Sequence, residues 1–90
     1  FQDVPRCHPT NKLGILYYSQ KRVDEAIAAY QHAIKLDPTY AKAHKNLGEI
    51  YVVQEKYDQA WHHAYIAAKH GNTKLIDMLK RYPPEPEGIG

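Results

Sequence analysis

Six histidines, one cysteine and a scatter of lysines and carboxylates are the residues with the chemistry to bind or react. His62 and His63 are neighbours, so on a helix they point about 100° apart, and His63 and His70 lie two turns, about 10 Å, apart. No two histidines have the four-residue spacing with which one helix holds zinc. No metal site is expected, and the histidines read as surface or partly packed groups. His32, His44 and His62 retain the ability to titrate near neutral pH and tune a partner's affinity. Cys7 beside His8 is adjacency along the chain, which does not aim a base at a thiol. Glycine-rich phosphate loops and paired carboxylates in a pocket are also missing, so neither catalysis nor a cofactor is expected. A lone cysteine rules out an intramolecular disulfide and a cysteine-built zinc site.

Charge and length narrow the partners. The net charge is +2 and the Lys and Arg residues are dispersed, so no nucleic acid is expected. No apolar run approaches the length of a membrane span, and a composition 43% hydrophobic and 24% charged suits a soluble domain. Ninety residues allow one domain with a thin core. The chain starts at Phe1 without a Met, so a fragment or processed product is expected, and the compartment stays open between cytoplasm and export.

The elements that must position these groups are helical. Residues 1–8 carry Pro5 and no helical period, an irregular lead-in whose Phe1 and Val4 are expected to cover the first helix. Pro9 suits a first turn, and Leu13, Leu16, Tyr17 and Gln20 follow at helical spacing, predicting a helix over 9–20. After a short polar connection, Val23, Ala26, Ile27, Tyr30, Ala33 and Ile34 form a second stripe over 23–36, which Pro38 ends. Ala43, Leu47, Ile50 and Tyr51 predict a third helix over 41–54. Tyr57, Ala60, Trp61, Ala64 and Ala67 predict a fourth, closing at His70 and Gly71. Asn72 is placed to cap a fifth, over 73–82, with Leu75 and Leu79 on its apolar side. The Pro-, Glu- and Gly-rich residues 83–90 read as a disordered tail.

Leu13, Gly14 and Tyr17 return as Leu47, Gly48 and Tyr51, each 34 residues on, so residues 7–40 and 41–74 are two copies of one helix-turn-helix unit. The period and markers resemble the tetratricopeptide repeat. Ala26, Tyr30, Ala33 and Pro38 complete the pattern in the first unit, with Thr10 where Trp is typical. The second keeps Ala60 and Ala67 but has His44 at the Trp position, Ala64 at the aromatic position and Asn72 at the proline position. The expected fold is therefore an all-α solenoid of antiparallel helix-turn-helix repeats, five helices with the last as a cap. Gly14 and Gly48 give the partner helix room, and Leu75 or Leu79 is expected to replace the ring that Ala64 lacks.

The resemblance implies a right-handed superhelix whose first-of-pair helices line a concave groove for a peptide or partner segment. By matching repeat positions, the groove face comprises His8, Asn11, Lys12, Ile15 and Tyr18, then Lys42, Lys45, Asn46, Glu49 and Val52. Lysines, amides and isolated apolar groups suit an acidic segment with an apolar anchor. Lys45 and Asn46 lie off the core stripe, so replacing both is expected to weaken a ligand without changing the melting temperature. The clamp by which some family members hold chaperone tails is matched clearly only at Asn46. Its other positions fall on Asn11, Ile15, Ile76 and Lys80, which argues against that ligand. The alternative reading is a scaffold: two repeats are fewer than a solenoid usually needs, so a homo-oligomer, or a longer array, would bury the exposed first-helix face around Leu16.

Overall fold

The computed structural model describes residues 7–81, with Cys7 and His8 described by their backbone alone. The lead-in contacts of Phe1 and Val4, the side chain of His8, Tyr82 and the tail at 83–90 lie outside the described residues. The described residues form five helices: α1 (Cys7–Ser19), α2 (Val23–Leu36), α3 (Ala41–Val53), α4 (Tyr57–Lys69) and α5 (Lys74–Leu79). The first begins two residues earlier than its periodicity predicts, with Pro9 still in the first turn, where its missing N–H costs nothing. The last is shorter than predicted at both ends. Asn72 Oδ1 accepts from the Lys74 N–H at 3.1 Å, so the predicted capping contact is made.

The two hairpin turns are built alike. Lys21 (φ 64°) and Glu55 (φ 62°), also 34 residues apart, both take the left-handed conformation that ends a helix. The following N–H groups reach back to the last turn, from Arg22 to the Tyr17 carbonyl at 2.9 Å and from Lys56 to the Tyr51 carbonyl at 2.8 Å. Only α4 uses glycine there, at Gly71 (φ 98°), with Asn72 N–H on the Ala67 carbonyl at 2.8 Å.

Glycine sets the approach of the paired helices. A Cβ on Gly14 would strike the Tyr30 ring, and one on Gly48 would strike the Leu75 side chain. Ala64, the repeat equivalent of Tyr30, is fully buried, and Leu75 from α5 occupies the space against Gly48. The cap thus contributes a side chain to the second hairpin's core. Leu47, Ile50, Tyr51, Trp61, Leu75 and Leu79 make up most of the main cluster, joined by Tyr30 from α2. This packing, five helices and no strand among the described residues, is the all-α repeat fold.

Leu13 and Leu16, at helical spacing along the first helix, are 42% and 52% exposed, in line with the exposed first-helix face expected around Leu16, whereas their repeat equivalents Leu47 and Ile50 are 1% and 2% exposed. The residue types are the same or nearly so. What differs is that α2 covers α3, and no described helix lies on the corresponding side of α1.

Candidate functional site

Between the N-terminal halves of α1 and α3 lies a cleft of about 230 Å³. Asn11, Lys12 and Ile15 line it from α1, Lys42, Lys45 and Asn46 from α3, Tyr40 from the loop between repeats, and Asn72 and Lys74 from the start of α5. Helical periodicity brings the first six together, because in each helix they sit on the face away from the second helix of the pair. Lys74 arrives by a different route: α5 runs back along the second hairpin and delivers its first residue to the cleft. Four lysines face the space and no carboxylate does. Among the described residues, Lys12, Lys42 and Lys74 have no carboxylate within ion-pair distance, and Lys45 is 3.6 Å from Glu49.

The floor is an amide pair. Asn46 Nδ2 donates to Asn11 Oδ1 at 3.1 Å, joining the two repeats, and Asn11 is 3% exposed. Asn46 therefore has a structural task, contrary to the expectation that it is off the core. Removing its donor strands a buried oxygen.

The remaining sequence-predicted positions are divided. Glu49 and Tyr18 lie beyond the cleft, toward the Tyr30 hydroxyl, whose pKa burial pushes up to about 12, with the Glu49 charge and the Tyr18 group adding to the rise. Val52 is half-buried against the core cluster, so it is a packing residue rather than part of the cleft. Ile76 and Lys80 do not line the cleft. A second hollow, about 290 Å³, opens between α1 and α2 over Leu13, Tyr17, Ala28 and Ala29, rimmed by Thr10, Glu25 and His32.

Sequence reasoning missed Tyr40, Asn72 and Lys74 as cleft residues, which no spacing rule links to α1. It also missed a histidine pair. His44, expected as a surface or partly packed group, is 3% exposed. Its Nε2 lies 2.8 Å from the Pro38 carbonyl and its Nδ1 2.9 Å from His63 Nδ1. The carbonyl only accepts, so neutral His44 carries its proton on Nε2, its Nδ1 accepts, and His63 Nδ1–H donates. Burial holds both rings below the usual histidine value, His63 down to about 4, where a charge on His44 adds to the drop. His63 also stacks on Tyr51 with ring centroids 5.7 Å apart. These two rings therefore stay neutral at pH 7 and do not titrate there. Among the described residues, no three His, Cys, Asp or Glu side chains gather as metal ligands, and no helix is long and apolar enough to cross a membrane.

Comparison with known proteins agrees with the repeat geometry. The TPR repeat family model matches residues 14–55. BBSome complex member BBS4 of Xenopus tropicalis is 32% identical over 79 residues, covering 84% of this chain and 15% of that protein. The tetratricopeptide repeat domain-containing protein PYG7, chloroplastic, of Arabidopsis thaliana is 42% identical over 50 residues, covering 56% of this chain and 16% of that one. The chain thus spans less than a fifth of the length of these relatives. No solved structure matches. With two helical hairpins in 34-residue register, glycines seated under a ring and a leucine, and these relatives, the chain belongs to the tetratricopeptide repeat family, whose repeats are protein–protein interaction modules.

Proposed function

We propose that this chain is a non-enzymatic adaptor that holds a peptide or partner segment, acidic in character, in the groove between α1 and α3. The observation that carries this reading is the cleft itself, where four lysines, three amides and Ile15 converge without a carboxylate. Such a lining complements side-chain carboxylates, which accept from ammonium and amide donors, while Ile15 offers an apolar contact. The name of the frog relative places that protein in a multi-protein complex, in keeping with a binding role.

The test compares proteins retained from native lysate by the wild type and by the Lys42→Glu/Lys45→Glu variant. Neither lysine is buried, so the variant keeps its fold, which circular dichroism checks. Loss of a retained partner supports the groove, and an unchanged pattern removes it.

The contrast between Leu13 and Leu47 favours a second reading, in which the open side of α1 meets another copy or a further repeat. Mass by light scattering across a concentration series checks self-association: a monomer at high micromolar concentration rules out the second copy.

A further inference from the structure

Resting on the groove reading above, we propose that Glu49 is an internal competitor for the acidic segment. In the free protein it holds Lys45, and a ligand carboxylate in the cleft takes that lysine over.

Lys45 is the cleft lysine that already has a carboxylate beside it. The pair joins residues one turn apart in the less favourable order, Lys before Glu, and its 3.6 Å separation is longer than a tight ionic hydrogen bond. Glu49 is 45% exposed and Lys45 only 22%, so the acid can swing into water while the ammonium stays at the cleft wall. Lys12, Lys42 and Lys74, by contrast, meet no carboxylate among the described residues. A ligand with one acid engages Lys12, Lys42 and Lys74. A ligand with adjacent acids also has a carboxylate for Lys45, and it gains that contact only by displacing Glu49. The competitor therefore lowers affinity for acidic segments in general and leaves closely spaced acids as the best ligands. Lys74 makes the cap helix part of the site.

The experiment measures fluorescence anisotropy of labelled hexaglutamate and hexaglutamine peptides on the full chain. Hexaglutamate is expected to bind about tenfold tighter or more, with the difference falling as salt is added. Glu49→Gln should tighten hexaglutamate binding about two- to fivefold. Glu55→Gln, which changes net charge equally beyond the end of α3, should change it less than about 1.5-fold. In a Lys45→Gln background the Glu49→Gln gain should vanish, and Lys74→Gln should weaken binding where Lys35→Gln and Lys69→Gln do not. Equal effects of Glu49→Gln and Glu55→Gln, or a gain that survives Lys45→Gln, would overturn the competitor. Stronger competition by a short oligothymidylate of equal charge would assign the cleft to nucleic acid and overturn it too. If hexaglutamate does not bind while Lys42→Glu/Lys45→Glu still loses a captured partner, the groove stands and this inference falls. If that capture is also unchanged, both fall.

Discussion

His44 Nδ1 and His63 Nδ1 lie 2.9 Å apart across the α3–α4 contact, with one proton between them. A proton added at the far nitrogen of His63 leaves that arrangement intact but places a charge among buried groups. A second charge would put a proton on both facing nitrogens and force the rings apart.

The pair should therefore make the fold acid-sensitive. A histidine whose folded pKa is lowered stabilises the fold above its unfolded value, and that stability is lost as the pH falls from 6.5 toward the folded value of about 4. The full difference corresponds to about 3 kcal/mol, and the partial exposure of His63 reduces it to about 1–2 kcal/mol. Denaturant midpoints followed by fluorescence of Trp61 should fall between pH 7 and pH 4 in the wild type. His63→Leu should flatten that fall, and an unchanged slope in this variant would place the acid sensitivity elsewhere.

Leu13 and Leu47 occupy the same place in the two repeats but differ in cover, 42% against 1% exposed. Leu47→Ala should cost about 2–5 kcal/mol. Leu13→Ala should cost less, about 1–2 kcal/mol, because a large part of what it removes is already wet. Equilibrium unfolding at low concentration measures both, and equal losses would mean that Leu13 is covered in solution.

Gly48 and Leu75 should be energetically coupled. Gly48→Leu overfills the α3–α4 contact where Leu75 already sits, at a cost of about 1–3 kcal/mol. In a double-mutant cycle of Gly48→Ala with Leu75→Ala, the vacated space should admit the new methyl, giving a coupling of at least about 0.5 kcal/mol. Additive effects would contradict the placement of Leu75 over Gly48.

Asn46→Ala should destabilise by about 1–3 kcal/mol, since the buried Asn11 oxygen loses its donor. Lys42→Ala, exposed on the same helix, should stay within about 0.5 kcal/mol. Thermal melting separates the two. It also explains why a binding test at this groove is cleaner with lysines than with Asn46.

Glu55 holds a left-handed conformation without the freedom of glycine. Glu55→Gly should raise stability by about 0.5–1 kcal/mol, as the relief of backbone strain exceeds the added unfolded-state entropy. A lower melting temperature in this variant would show that the Glu55 side chain contributes more than its backbone costs.

The helices, their pairing and the repeat were legible in the chain because each rests on short-range spacing. A stripe such as Val23, Ala26, Ile27 and Tyr30 defines one face of one helix whatever lies opposite. The cleft residues of α1 and α3 were legible for the same reason, since repeat position fixes the direction in which Lys12, Lys42, Lys45 and Asn46 point. Burial was legible only in part, in the exposed first-helix face around Leu16, because it belongs to the neighbour. Leu13 and Leu47 read identically, and only the presence of α2 over α3 separates them. The contact of His44 with His63, the seat of Leu75 on Gly48 and the arrival of Lys74 beside Lys42 likewise join residues far apart in the chain. Local pattern determined which faces exist, while the stacking of the hairpins and the return of α5 decided which faces meet.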